Sequence, residues 1–117
     1  MNALVSIITP SYNSAKFIAE TIQSVQNQTY QNWEMIIVDD GSSDETENVV
    51  LSIIQNDNRI QFHKLSQNSG PAVARNTGIE KASGDYMTFI DADDIWFPTF
   101  IENNIKTIQE TGIPFVF

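Results

Sequence analysis

Apolar residues along this chain alternate between short solid runs and stripes recurring every third or fourth position. The run Leu-Val-Ser-Ile-Ile-Thr over residues 4–9 is β-branched and closed by Pro10, which predicts a buried strand. Ser14 stands where a helix over residues 15–28 would be capped, with Phe17, Ile18, Ile22 and Val25 on one face. Residues 33–39, Trp-Glu-Met-Ile-Ile-Val-Asp, predict a second buried strand. Gly41-Ser42-Ser43 then turns the chain into a helix striped by Val49, Val50, Ile53 and Ile54, and the spacing of Ser42 and Glu45 is that of a capping box. Residues 60–65 alternate apolar and polar, as in a strand with one wet face. A loop at 68–71 leads into a helix through Ala72, Ala74 and Ile79, ended by Gly84, and residues 86–90 predict a fourth strand. Pro98 suits the first turn of a last helix, with Phe100, Ile101, Ile105 and Ile108 inward and Gly112 at its C-terminal end. A fifth strand begins at residue 113 and ends on the last residue, 117, which reads as a chain cut inside a larger domain.

Strands thus alternate with crossovers of helical length. The expected fold class is α/β, a three-layer α/β/α sandwich around a mostly parallel sheet. At 117 residues the whole chain, 1–117, is expected to be one domain with a real core. No internal repeat, low-complexity tract or linker interrupts it.

Charge narrows the choice of partners. Fifteen acidic side chains against six basic ones give a formal charge of -9, which disfavours nucleic acid and direct docking on anionic lipid. The sequence has no cysteine, so disulfides and thiolate metal sites are excluded, and a reducing compartment is expected. There is no signal peptide pattern and no apolar run long enough for a transmembrane segment. A cytoplasmic location follows as an expectation, with a peripheral place on the inner membrane face open to the full-length protein.

The residues with chemistry fall at the predicted strand ends, where open parallel sheets bind ligands. Strand one ends in Thr9-Pro10-Ser11-Tyr12-Asn13, strand two in Asp39-Asp40-Gly41-Ser42-Ser43-Asp44, and strand four in Asp91-Ala92-Asp93-Asp94. Asp91 and Asp93, two apart, can face the same way, and Asp39, Asp40 and Asp44 are expected at the same edge. Grouped carboxylates repel one another, and a cation relieves that repulsion. Oxygen-only ligands select a hard divalent cation, Mn²⁺ or Mg²⁺, able to bind a diphosphate and stabilise it as a leaving group. Acids after strands also cap helices and make turns, the ordinary reading for Asp44. Tyr12 offers a ring for a nucleobase, with Thr9 and Asn13 as polar partners, and Asp39 or Asp40 can accept from a uracil imide. Arg75, the one basic residue in these segments, is suited to a phosphate, a base-side carboxylate or a surface ion pair. His63 lacks a nearby carboxylate or nucleophile and reads as structural, as do Trp33, Trp96 and Phe97 as packing residues.

Four segments together give the sequence a resemblance. They are Val-Ser-Ile-Ile-Thr-Pro-Ser-Tyr-Asn (5–13), Ile-Val-Asp-Asp-Gly-Ser-Ser-Asp-Glu-Thr (37–46), Gly-Pro-Ala-Val-Ala-Arg-Asn-Thr-Gly (70–78) and Phe-Ile-Asp-Ala-Asp-Asp (89–94). In this order they resemble a family 2 glycosyltransferase with the Rossmann-like GT-A fold of nucleotide-diphospho-sugar transferases. The resemblance implies that Thr9, Pro10, Tyr12, Asn13, Asp39, Asp40, Gly41 and Ser42 serve the nucleotide-sugar site. It places Arg75 near base and phosphates, Asp91 on the ribose side with Ala92 also in the nucleotide-sugar site, and the cation on Asp93 with Asp91. It further implies transfer of a sugar, with inversion, from a UDP-sugar to a hydroxyl of a glycan or lipid-linked acceptor in polysaccharide biosynthesis. In such enzymes the acceptor site and the general base lie after residue 113, so no catalytic residue is assignable here.

Two other classes place acids at strand ends. A receiver-type signalling domain holds Mg²⁺ between paired acids and a later Asp, but here the pair follows strand two and no switch Thr and Lys appear. A haloacid-dehalogenase-type phosphatase carries Asp-Xaa-Asp near its N-terminus and continues to Thr or Val where this chain has Ile95. A dinucleotide-binding domain would need Gly-Xaa-Gly-Xaa-Xaa-Gly after strand one, which is absent.

Overall fold

In a computed structural model that describes residues 2–112, the solid apolar runs become adjacent strands at the centre of one sheet. The elements run β1 (Val5–Ser11), α1 (Ile18–Gln26), β2 (Trp33–Asp39), α2 (Thr46–Ile54), β3 (Ile60–Lys64), α3 (Pro71–Lys81), β4 (Tyr86–Phe89) and α4 (Phe100–Thr111). The strand order is β3-β2-β1-β4, every pair parallel. β1 and β2 stay in register from Val5 opposite Trp33 to Ser11 opposite Asp39, so their chemistry-bearing ends finish at one level.

Helices cover both faces, giving the expected three-layer sandwich. On one face Ile18, Ile22 and Val25 of α1, Val50 of α2, and Ile101 and Ile105 of α4 pack with Val5, Ile7, Met35 and Ile37. Each such buried side chain contributes about 1.5–3 kcal/mol relative to exposure. The other face is covered by α3, where Ala74 meets Ile36 and Val38. Small residues let α3 approach closely: a Cβ added at Gly78 would lie 2.5 Å from Cγ2 of Ile8. The chain steps from β1 to β2 to β3, then crosses back over the opposite face to β4. That reversal opens a crevice beyond the carboxyl ends of β1 and β4.

Several local expectations are corrected. Ser14 does not cap with its side chain: its carbonyl accepts from the N–H groups of Phe17 and Ile18 at 2.9 Å each, while its hydroxyl donates to the Tyr12 carbonyl. The helix therefore starts at Ile18, and Phe17 is 52% exposed rather than inward. No capping box forms at Ser42, because Asp44 accepts from the N–H and hydroxyl of Thr46 at 3.0 and 2.5 Å and α2 begins there. Pro98 stays outside α4, its carbonyl accepting the Thr29 N–H at 2.8 Å. Ala72 and Ile79 are exposed, and Phe97, expected to pack, is 84% exposed. Gly112 does close α4 in a left-handed conformation. The expected fifth strand, 113–117, lies outside the described residues. No helix among the described residues is long and apolar enough to cross a membrane.

Candidate functional site

The first two strand ends are tied to each other by side chains. Asn13, with φ 47, accepts from the N–H groups of Ser43 and Asp44 at 2.9 and 3.4 Å, and its own N–H donates to the Ser42 hydroxyl at 2.8 Å. That hydroxyl donates to Asp39 Oδ1 at 2.6 Å, and the Ser42 N–H donates to Oδ2 at 2.8 Å. Asp39 is fully buried by this arrangement. The N–H of Ser14 donates to the Thr46 hydroxyl, and that of Ala15 to Asp44. The Thr46 hydroxyl, above all, holds the Asp44 carboxyl below its ordinary value. Asn13 Oδ1, the Asp39 carboxylate and the Ser42 hydroxyl, expected at the ligand, are thus bonded within the loops that carry Tyr12 and Asp40. The turn at Gly41 packs against the third loop, and a Cβ there would lie 3.1 Å from the Asn68 nitrogen.

Beyond these loops lies a cleft of about 360 Å³ at the sheet's topological reversal. β1 and the residue after it supply Pro10, Ser11 and Tyr12, and Asp40 comes from the end of β2. The third loop and α3 supply Asn68, Gly70, Pro71, Ala74 and Arg75, and Asp91 follows β4. Four expected site residues, Pro10, Tyr12, Asp40 and Arg75, therefore share one wall system with Asp91. Tyr12 is half exposed, its ring free to meet a ligand. Thr9 is fully buried, its hydroxyl has no protein partner, and it is not on the cleft surface. The Arg75 guanidinium lies 5.9 Å from the centre of the Phe89 ring. Among the described residues no carboxylate pairs with Arg75, so the surface ion pair is not formed.

Beside Asp91 stand two further acids. Asp91, Asp93 and Asp94 each offer a carboxylate oxygen within 4.8 Å of the others, and all three side chains are exposed. The Asp94 N–H donates to the Asp91 carbonyl at 3.1 Å, a turn that keeps the three together. Ala92 is buried and its carbonyl accepts from the Thr21 hydroxyl at 3.0 Å, which anchors the segment to α1 and leaves Ala92 no side-chain role at a ligand. An all-oxygen, exposed, triply acidic set fits a hard divalent cation that retains water and phosphate positions. Acids from two strand ends meet at the cleft, Asp40 after β2 and Asp91 after β4, with Asp93 and Asp94 beside Asp91, whereas Asp39 and Asp44 are bonded within the loops. Asp94 was not among the expected metal ligands, although its place directly after Asp93 was visible. Ser11, Asn68, Gly70, Pro71 and Ala74 were not among the expected site residues, and all but Ser11 come from the loop and first turn that join β3 to α3.

His63 sits away from this cleft. Its ring nitrogen lies 2.9 Å from Gln61 Oε1, and burial, with Lys81 second, pushes its imidazole below the ordinary value, in keeping with a structural role.

Known proteins resemble this chain in sequence and in fold. The chain is 43% identical over 114 residues to an Escherichia coli protein, UDP-Glc:alpha-D-GlcNAc-diphosphoundecaprenol beta-1,3-glucosyltransferase WfgD, a match covering 97% of this chain and 44% of that protein. Its structure resembles Staphylococcus aureus TarS 1-349 in complex with UDP-GlcNAc, with a TM-score of 0.84 and 31% identity over 91% of this chain and 31% of that one. It also resembles the mannosyltransferase PcManGT of Pyrobaculum calidifontis in complex with GDP-Man and Mn²⁺, with a TM-score of 0.86 and 26% identity over 92% of this chain and 33% of that one. The chain spans less than half the length of these relatives. Residues 6–116 match the model of glycosyl transferase family 2, and a chain with this sheet order, this cleft and this acidic turn belongs to that family.

Proposed function

We propose that residues 1–117 form the nucleotide-sugar-binding portion of one glycosyltransferase domain, with UDP-sugar as donor. The observation that carries this reading is the adjacency of an uncharged-to-basic cleft wall, Pro10, Tyr12 and Arg75, to the carboxylates of Asp91, Asp93 and Asp94. The Tyr12 ring and Pro10 face the base, with Asp40 behind them, and Asp91 faces the ribose. Arg75 offers a fork of donors to a phosphate or to the base side. Asp93, with Asp91 and Asp94, would hold Mn²⁺ or Mg²⁺, whose chemistry is to offset charge on a diphosphate leaving group. PcManGT, in complex with Mn²⁺, supports a divalent cation, and the UDP-GlcNAc complex of TarS supports uridine.

The reaction is transfer of the sugar to an acceptor hydroxyl with inversion: the hydroxyl oxygen bonds to the anomeric carbon from the face opposite the departing diphosphate, and its proton passes to a general base. Neither the base nor the acceptor site is assigned to any residue of this chain. The acceptor class is a glycan or lipid-linked sugar, as the name of the WfgD relative suggests, in polysaccharide biosynthesis. Nucleic acid has no part in this reading. The lack of cysteine fits action in the reducing cytoplasm.

Thermal unfolding tests it. UDP with Mn²⁺ should raise the melting temperature by several degrees, since a ligand at about 100 times its Kd adds about 2.7 kcal/mol. UDP alone should raise it far less, and Asp93→Ala should erase the difference. Equal stabilisation by UDP with and without Mn²⁺, or a Mn²⁺ effect that survives Asp93→Ala, would refute the metal assignment.

A further inference from the structure

Asp40 is 4% exposed, and both its oxygens accept main-chain hydrogen bonds from one loop. The Ser69 N–H reaches Oδ1 at 2.6 Å and the Gly70 N–H reaches Oδ2 at 2.9 Å. Two successive amides on one carboxylate make a charge-assisted, two-pronged grip that fixes the loop's orientation. Gly70 takes φ 98 and ψ 158, a region essentially closed to residues with a side chain. A Cβ at Gly70 would meet nothing within 4 Å, so glycine is required there for its dihedral angles and not for room. The Gly70 carbonyl accepts the Ala74 N–H at 3.2 Å, which makes this residue the start of α3. Ala74 and Arg75, on the turn so positioned, line the cleft.

We infer that Asp40 is a positioning residue: its carboxylate latches the 68–70 loop, and the latch sets the first turn of α3 so that Arg75 faces the donor. This rests on the reading of the cleft as a nucleotide site. One acceptor site on each oxygen holds the loop, and the same carboxylate lines the cleft, so the latch is a role added to any contact Asp40 makes with a nucleotide. Conformations of the kind Gly70 adopts are strained for residues with a side chain and persist where surrounding bonds impose them. Here the imposing group is Asp40.

A double-mutant cycle on UDP affinity in Mn²⁺, measured by calorimetry, tests the latch. Asp40→Asn keeps the size of the side chain but turns one acceptor toward an N–H as a donor. Gly70→Ala adds no clash and forbids the dihedral angles. Each should weaken UDP binding by about tenfold or more, and the double variant should be no weaker than the weaker single one, because both break one device. Losses that multiply, or a Gly70→Ala protein with unchanged affinity, would overturn the inference. Gly112→Ala imposes a left-handed penalty at φ 67, also with nothing within 4 Å, but outside the cleft. It should keep the parent affinity, which separates the latch from a general loss of stability.

Amide hydrogen exchange on the free protein provides a reading independent of nucleotide. Ser69 and Gly70 should exchange slowly in the parent chain and rapidly in Asp40→Asn, while Gly78 in α3 stays protected. Equal exchange at Ser69 and Gly70 in both proteins would refute the latch. Should the parent chain fail to bind UDP, the nucleotide reading falls, and the exchange result alone decides the latch.

Discussion

Neighbouring groups decide what each carboxylate in this protein does. Asp39, Asp40 and Asp44 follow one strand and look alike in sequence. The first two are covered by donors from Ser42 and from the 68–70 loop, and the third closes a turn at Thr46. Asp91, Asp93 and Asp94 face solvent together. Asp57 shows the same logic far from the cleft. Its hydrogen bonds from the Arg59 guanidinium hold the carboxyl down to about 2, and Arg59 itself lies 3.8 Å from the centre of the Trp33 ring. Because the folded value lies below the unfolded one of about 3.9, the ionised form favours the folded state above that pH. The contribution fades as pH falls from about 4 through about 2. Asp57→Asn should therefore be less stable than the parent at neutral pH, and the gap should close in acid. Urea unfolding at a series of pH values measures it, and a gap that persists undiminished below pH 2 would exclude this source.

At the scale of elements, close approach of α3 to the sheet sets the depth of the cleft. Gly78 permits that approach, since any side chain there would press on Ile8. Gly78→Ala should cost about 1–3 kcal/mol by overpacking, read as a lower urea midpoint at unchanged slope. An unchanged midpoint would mean the helix stands further off than described. The four strands and four helices of the described residues were legible in the sequence because solid β-branched runs, helical stripes and Gly or Pro punctuation each have a local cause. Helix starts were not, at Ser14 and Ser42. Those serines match local capping rules, yet Ser42 is bonded to Asn13, about thirty positions away, and a local rule cannot see such a partner. The same distance hid the fate of Asn13, whereas Asp39 is held by Ser42 only three positions on. Tyr12, Arg75 and Asp91 were legible because strand ends and the α3 segment place them by topology alone.

The whole molecule places a partly basic cleft and an acidic turn on one rim of the sheet, at the reversal between β1 and β4. That adjacency suits a ligand that is part base and part diphosphate, bridged by a cation, and membership of glycosyl transferase family 2 agrees with it. With a surface at -9 overall, the proposed function assigns the binding of an anionic donor to Arg75 and a divalent cation. Crystals grown with UDP and Mn²⁺ and measured at the manganese absorption edge would locate the ion without reference to any assumed site. The expected map has one anomalous peak on the carboxylates of Asp91, Asp93 and Asp94, touching a diphosphate whose base lies beside Tyr12. UDP in the cleft with no manganese at those carboxylates, or manganese there with UDP elsewhere, would contradict it.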